Sequence, residues 1–253
     1  MHRFYINFID LSNYIVIIPT YNEKENAEAI IRKVMSLQPA FDVLIVDDNS
    51  PDGTADIVKH LQKEFTDRLH ILERTEKNGL GTAYIAGFKW CLAKHYQFIF
   101  EMDADFSHNP EDLPRLLHAC ETEGAGLAVG SRYITGVNVV NWPMSRVIMS
   151  YYASVYVRFI TGMTIRDATA GFVCYTRQTL EAINLDKIKF KGYAFQIEMK
   201  FKAFLKNIKI LEVPIIFTDR TLGTSKMSKK IFREAFFGVI ELKINSWFRK
   251  NGS

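Results

Sequence analysis

Two apolar, β-branched runs, Tyr14–Thr20 (YIVIIPT) and Phe41–Asp47 (FDVLIVD), flank a segment in which Ala27, Ile30, Ile31, Val34 and Leu37 recur at helical spacing. Runs with no polar alternation read as strands buried on both faces, and a strand–helix–strand order asks for a crossover and parallel pairing. The rhythm continues. Pro51-Asp52-Gly53-Thr54 is a turn and helix start, and Ile57, Val58, Leu61 and Phe65 form a helical stripe. Leu69–Leu72 is a short strand, Gly79–Lys94 a long helical pattern and Phe98–Met102 a further strand. Asn109-Pro110 opens a helix that runs to about Glu121, and Leu127–Gly130 is the next strand. The order predicts an α/β fold: a mostly parallel sheet with helices on both faces. After Ser131 the pattern changes. A loop leads through Trp142-Pro143 to an aromatic helix over Met144–Thr161, then to a strand at Phe172–Tyr175, a helix near Phe195–Lys206 and an extended stretch at Ile208–Phe217. No repeat or linker splits the chain, so one domain is expected over residues 1–228, followed by a C-terminal helical segment over 229–253.

Composition excludes several classes. Hydrophobic residues at 48% and charged residues at 24% suit a folded soluble protein and not a disordered, collagenous or coiled-coil chain. Cys91, Cys120 and Cys174 are widely spaced and form no Cys-x-x-Cys, so neither a disulfide framework nor a zinc ribbon is signalled. Asn7, Asp10, Ser12 and Asn13 interrupt the N-terminal apolar stretch, so neither a membrane span nor a signal peptide is expected, and the expected location is cytoplasmic. The net charge of +4 is unevenly placed. Between Lys226 and Lys250 seven basic residues face two acidic ones, and from Gly124 to Arg166 there is no Asp or Glu at all. Two cationic stretches on a near-neutral body suggest an anionic partner.

Open α/β sheets bind ligands at the carboxyl ends of their strands. Here those ends carry Pro19-Thr20-Tyr21-Asn22-Glu23, Asp47-Asp48-Asn49-Ser50 and Asp103-Ala104-Asp105. Turn formation explains each singly but explains their convergence poorly. If the chain stays extended, Asp103 and Asp105 point the same way, about 7 Å apart. Paired carboxylates repel without a cation, and Mg²⁺ or Mn²⁺ takes one or two of them together with substrate phosphate oxygens. Other templates fail: there is no Walker loop, HExxH or GxSxG, and Gly79-Leu80-Gly81 is followed by Tyr84 where a dinucleotide loop has its third Gly. His108 is expected to order the Asn109-Pro110 helix start rather than to bind metal.

These segments carry a resemblance. Ile18–Glu23 and Val46–Thr54 look like the opening of the inverting GT-A glycosyltransferases of family 2. Asp103-Ala104-Asp105-Phe106-Ser107-His108-Asn109-Pro110 resembles the dolichol-phosphate mannose synthase branch. So do Gly130–Tyr133, Trp142–Arg146, Asp167–Phe172, Gly192–Met199 and Pro214 through Asp219-Arg220, Gly223 and Ser225-Lys226. The resemblance implies the GT-A fold and transfer of mannose from GDP-mannose to a polyprenyl phosphate of the dolichyl type. Residue by residue, it implies that Pro19, Tyr21, Glu23, Val46 and Asp48 hold the guanosine. Asp103, Ala104 and Asp105 would hold the metal-bridged diphosphate and sugar, with Ser107 near the Mg²⁺ or Mn²⁺. Arg132, Arg220 and Lys226 would meet phosphates, and Arg146 the acceptor; Asp105, Arg132 and Arg146 would carry the catalysis. Val173 stands where the family often has Arg, so one cation is missing. Some relatives carry C-terminal membrane helices that this chain lacks, which leaves open whether small membrane subunits join it. No nucleic acid is expected as a partner.

A phosphate acceptor also suits the chemistry. A hydroxyl acceptor needs a general base, whereas a phosphate monoester, with a second pKa of about 6, needs only orientation and screening. Arginine forks supply both. Arg132 and Arg146 fit that role, while Arg158 and Arg166 fit better as stems laid along an apolar helix. Tyr151, Tyr152, Tyr156 and Phe159 are expected in the core, with a lipid-facing role as the second reading. Thr218–Ser228 reads as a loop that closes over donor. Phe232, Phe236, Val239, Ile240, Ile244 and Trp247 read as one apolar stripe of an amphipathic basic helix, either packed on the domain or lying in a lipid interface on the cytoplasmic side. Alternatives are the same chemistry with UDP-glucose or another donor, and a sugar-nucleotide pyrophosphorylase, for which the loop after the first strand lacks the glycines.

Overall fold

Ile15, Val16, Ile17 and Ile18 are all fully buried, as a strand covered on both faces requires. They belong to β1 (Tyr14–Thr20), the first strand in the computed structural model, which describes residues 12–192, 194–219 and 229–250, the last segment with side chains over 236–247. α1 (Lys24–Met35), β2 (Asp42–Asp47), α2 (Thr54–Leu61), β3 (Leu69–Glu73), α3 (Leu80–Leu92) and β4 (Phe98–Glu101) follow in the expected order. A short 3-10 turn at Pro110–Asp112 leads into α4 (Leu113–Glu121), and β5 (Leu127–Ser131) comes next. The rest comprises β6 (Val139–Val140), α5 (Met144–Thr161), β7 (Val173–Thr176), α6 (Arg177–Ala182), α7 (Ala194–Leu205), β8 (Ile210–Pro214), β9 (Phe217–Thr218) and α8 (Lys229–Lys250).

Seven strands form one sheet in the order β3-β2-β1-β4-β7-β5-β8. All pair in parallel except β7, which is antiparallel to β4 and β5. The chain leaves β5 at its carboxyl edge and builds β6, α5 and the 162–172 loop there. It therefore re-enters the sheet from that same edge, and β7 must run backwards. The loop is thereby laid across the strand ends that hold the acidic residues.

Alternate strand residues feed opposite layers. Val16, Ile18, Val43, Ile45, Phe100 and Phe172 pack with Ile30, Val34, Leu116 and Leu117 on one face. Ile15, Ile17, Leu44, Val46 and Val129 pack with Tyr84, Phe88 and Phe195 on the other. The Gly79-Leu80-Gly81 segment has a packing explanation. A Cβ on Gly81 would stand 2.7 Å from the Phe195 ring, and the Gly81 N–H bonds the Lys191 carbonyl at 2.8 Å. A third cluster joins α5, α7 and α8 through Val157, Met163, Ile165, Ile197, Phe201 and Val239.

Two expectations change here. α5 does not bury its aromatics: Tyr152 is 63% and Phe159 85% exposed, with Met144, Ile148 and Tyr151 open beside them. The predicted stripe of α8 also splits. Val239 turns inward, and Gly238 seats against the Phe190 ring, where a Cβ would come within 2.7 Å. Phe236, Ile244 and Trp247, together with Phe237, stay exposed. Apolar residues thus occupy both a packed side and an open side of α8. The side chain of Phe232 lies outside the described residues.

Candidate active site

The loops after β1 and β2 are tied together by a short set of hydrogen bonds. Asp47, buried, accepts from Thr20 Oγ1 at 2.8 Å, Ser50 N at 2.8 Å and Ser50 Oγ at 2.7 Å. Ser50 Oγ in turn accepts from Asn22 N at 3.0 Å. Asn22 and Asn49 have φ of 56° and 58°, a left-handed conformation that Asn tolerates better than most residues. Glu23 spends its carboxylate on Asn26 Nδ2 at 3.0 Å, inside its own helix start. Asp48 is buried and pairs with Arg74 Nε at 3.1 Å; burial raises its pKa and the guanidinium opposes that. Tyr21 lies under the Lys77 ammonium, 4.1 Å from the ring centre. Of the residues expected at the nucleoside, Tyr21 and Asp48 stand at adjacent strand ends with Lys77 and Arg74 beside them. Pro19 is half-buried in β1. Val46 is fully buried in the core, so its side chain packs against the helical layer and any contact with a ligand is left to its main chain. Arg74 and Lys77 were not singled out from sequence, because nothing in a loop of mixed charge distinguishes them.

β4 ends at Glu101, so Asp103 and Asp105 are not in the extended chain that the 7 Å spacing assumed. Ala104 and Asp105 sit in a turn, and Phe106 takes a φ of 60°. Asp105 is buried and its Oδ1 accepts from Ser107 N at 3.0 Å and from the Ser107 hydroxyl. Asp103 keeps a 37% exposed side chain and donates its main-chain N–H to His108 Nδ1 at 3.2 Å. His108 therefore does not order the helix start. Asn109 does that itself, accepting from Glu111 N at 3.1 Å. Burial holds the His108 ring well below the usual imidazole range, in keeping with a nitrogen that accepts a hydrogen bond. Among the described residues no group of three His, Cys, Asp or Glu forms a closed metal cage. Two hard carboxylates two residues apart, Asp103 half-open and Asp105 buried, nevertheless fit Mg²⁺ or Mn²⁺, which commonly complete their shell with water and substrate phosphate. Asp103 and Asp105 would hold such an ion, and the Ser107 hydroxyl is turned to orienting Asp105.

Arg132 is engaged more tightly than its expected phosphate role suggests. Asp167, fully buried, accepts from Arg132 Nε at 2.7 Å, Nη2 at 2.6 Å and the main-chain N at 3.0 Å. Thr169 Oγ1 accepts from Nη2 at 2.9 Å, and the guanidinium lies 5.3–5.7 Å from the rings of Tyr133, Trp142 and Phe217. Arg146 lies 4.0 Å from the Trp142 ring centre and donates to Asp219 Oδ1 at 2.9 Å. Arg166 donates to the Ile134 carbonyl at 3.0 Å, a structural role. Arg220 and Lys226, and with them most of the expected Thr218–Ser228 loop, lie outside the described residues, as does Tyr193.

Beneath the 167–171 loop runs a buried polar chain that the sequence reading missed. Lys200 Nζ donates to the Ala170 carbonyl at 2.6 Å and to Gln196 Oε1 at 3.2 Å, while Gln196 Nε2 donates to Glu101 Oε2 at 2.6 Å. Burial pushes the Glu101 carboxyl up and the Lys200 ammonium down. The available signal was Gln196 and Lys200 four apart in a helix rich in apolar residues, and an acid closing the FIFE strand. From above, Glu212 accepts from Arg166 N at 2.7 Å and Asp167 N at 2.9 Å, so the loop is held from both sides.

Part of this site lines a cavity of about 460 Å³. Its polar end has Asp103, His108, Arg132, Thr169 and Gln196; Arg146 and Trp142 stand in its wall. Its other end is apolar, formed by Met149, Tyr152, Tyr156 and Val157 of α5 with Phe236 and Val239 of α8. Tyr156 stacks on Phe236 at 4.7 Å.

Comparison with known proteins shows the family and the fold. The sequence pattern described as "Glycosyl transferase family 2" matches residues 15–183. The chain is 49% identical over 227 residues to the polyprenol monophosphomannose synthase of Mycolicibacterium smegmatis, covering 90% of this chain and 85% of that one. It is 48% identical over 225 residues to the undecaprenyl-phosphate mannosyltransferase of Micrococcus luteus, covering 89% and 91%. Its fold matches glucosyl-3-phosphoglycerate synthase from Mycobacterium tuberculosis, solved with Mn²⁺, UDP and glucosyl-3-phosphoglycerate, at a TM-score of 0.64, 16% identity and coverage of 92% and 78%. With strand ends, sheet order and sequence in agreement, the chain is a GT-A glycosyltransferase and belongs to glycosyl transferase family 2, on the branch of the polyprenyl-phosphate mannose synthases.

Proposed function

We propose that the enzyme transfers mannose from GDP-mannose to a polyprenyl phosphate, giving polyprenyl-phosphate mannose and GDP. The observation that carries this reading is the two-ended cavity: Asp103 with Arg132 and Arg146 at one end, an aromatic and aliphatic trough between α5 and α8 at the other. A phosphate attached to a long hydrocarbon is the acceptor such a cavity suits, and the names of the two bacterial relatives agree with it. In the reaction the acceptor phosphate oxygen forms a bond to the anomeric carbon as the bond from that carbon to the GDP oxygen breaks, with inversion. The attacking oxygen is already anionic, so no base is needed. A divalent ion at Asp103 and Asp105, Mg²⁺ or Mn²⁺, would stabilise the leaving diphosphate. Tyr21 and Asp48 hold the nucleoside side. Arg146 orients the acceptor phosphate, and Arg132, its charge balanced by Asp167, supplies fixed N–H donors rather than net positive charge. Arg220 and Lys226 complete the phosphate contacts in this reading.

No helix among the described residues is long and apolar enough to cross a membrane. Open apolar residues of α5 and α8 border the trough, which supports a peripheral seat on a membrane where a lipid acceptor would enter without leaving its bilayer; we place that seat on the cytoplasmic face, alone or with small membrane subunits. Competition tests the donor. GDP should displace a bound fluorescent guanosine nucleotide in the presence of Mn²⁺ and UDP should not; displacement by UDP alone would favour the UDP-sugar reading.

A further inference from the structure

His108 is buried, and its ring is held on two sides. Its ring stacks on Phe172, with centroids 4.9 Å apart and planes at 11°, and meets Phe217 edge-on at 5.4 Å. Its Nδ1 accepts the Asp103 main-chain N–H. An accepting ring nitrogen carries no proton, so the neutral imidazole has its proton on Nε2. The ring lines the cavity with Asp103, Gly171 and Gln196. Gly171 keeps the space in front of it open: a Cβ there would stand 3.8 Å from His108 Cε1 and 3.8 Å from Gln196 Nε2, with nothing nearer. The stacking on Phe172 fixes the ring plane, and the Asp103 bond fixes its rotation. Cε1 is the ring atom that faces Gly171, and Nε2 is bonded to it.

We propose that His108 serves sugar transfer through both ring nitrogens: Nδ1 fixes the backbone of Asp103, and Nε2–H donates to an oxygen of the bound donor sugar or acceptor phosphate in the space before Gly171. The inference rests on the glycosyl-transfer reading. Three variants separate its parts, each measured by calorimetric binding of GDP with Mn²⁺, by kcat and KM for each substrate, and by Tm. In His108→Asn the side-chain oxygen can take the place of Nδ1 while the Nε2 donor is gone. GDP–Mn²⁺ affinity should stay within about threefold, and kcat/KM should fall roughly a hundredfold, the scale of losing one aimed donor. In His108→Gln an amide reaches the Nε2 position but Asp103 loses its acceptor, so GDP–Mn²⁺ affinity should fall about tenfold. Gly171→Ala adds only ordinary contacts, so Tm should hold within about 2 °C, while the methyl blocks the donor and kcat/KM falls as in His108→Asn. This variant decides the matter even if the His108 variants fold poorly. A rise in KM confined to GDP-mannose would place the oxygen on the sugar, and one confined to the polyprenyl phosphate would place it on the acceptor. Wild-type kcat/KM in either His108→Asn or Gly171→Ala overturns the proposal. So does an equal loss of Tm and GDP–Mn²⁺ affinity in both His108 variants, which would make the ring merely structural. A wild-type protein that binds GDP and Mn²⁺ but transfers no sugar would overturn the underlying reading and this inference with it.

Discussion

Asp167→Asn tests how the site is built. Asp167 is fully buried and takes three hydrogen bonds from Arg132, two of them from the guanidinium at 2.6 and 2.7 Å. The substitution keeps the shape of the side chain and removes its charge, so the Arg132 guanidinium is left buried against an amide. Removing one partner of a buried pair costs about 3–5 kcal/mol. For a chain of this size each kcal/mol moves Tm by about 2–4 °C, so a fall of roughly 10 °C is expected. Burial raises the Asp167 pKa, but the charge and hydrogen bonds of Arg132 more than offset it and hold the carboxyl below the usual carboxylate range. The folded pKa lies below the unfolded one, so the stabilisation is complete above about pH 4 and is lost as pH falls through the lower folded value. The gap between wild type and variant should therefore be flat from neutral pH down to mildly acidic pH and close only in stronger acid. Thermal unfolding followed by circular dichroism, with Arg132→Met and the double variant alongside, completes the test. The double variant should lose less than the sum of the two singles, because each single strands a buried group. A Tm within about 2 °C of wild type for Asp167→Asn, or strict additivity in the double, would refute the reasoning.

Two further outcomes are expected. Asp105→Ala removes a carboxylate that Ser107 holds in place, and kcat at saturating metal should fall by about one to three decades; retention of more than about a third of wild-type kcat would contradict its assignment to the metal. Phe159→Ser combined with Trp247→Ser changes two exposed side chains, so Tm should hold within about 2 °C while sedimentation with anionic liposomes drops several-fold; unchanged sedimentation would remove α5 and α8 from the membrane face.

The first half of the fold was legible because β1 and β2 are uninterrupted apolar runs and α1 carries a clean helical stripe. The backward direction of β7 was not, since Val-Cys-Tyr-Thr reads the same in either orientation and only the route of residues 132–172 decides it. The acidic strand ends were correctly located by position in the sheet, but side-chain direction was hidden. Val46 points into the core, Glu23 turns to its own helix, and Asp103 and Asp105 lie past the end of β4, Asp105 in a turn. Arg132 was visible as a cation in an acid-free stretch; its partner Asp167 lies 35 residues on, a distance that no local pattern spans. The aromatics of α5 were expected inside because most such stripes cover a core, and here α8 covers only one side of them. Glu198 illustrates the same limit: it is spent on the main-chain N–H groups of Lys189 and Phe190, which a motif cannot show.

The most direct measurement of the central claim is transfer itself. The purified protein is incubated with GDP-mannose labelled in the sugar, with Mn²⁺ or Mg²⁺ and a polyprenyl phosphate in mixed micelles, and the organic phase is extracted. Label is expected in a lipid-soluble product that mild acid releases as mannose, formed only when metal and lipid phosphate are both present. Label that stays in the aqueous phase under all conditions, or a lipid product formed equally well from UDP-glucose, would contradict it.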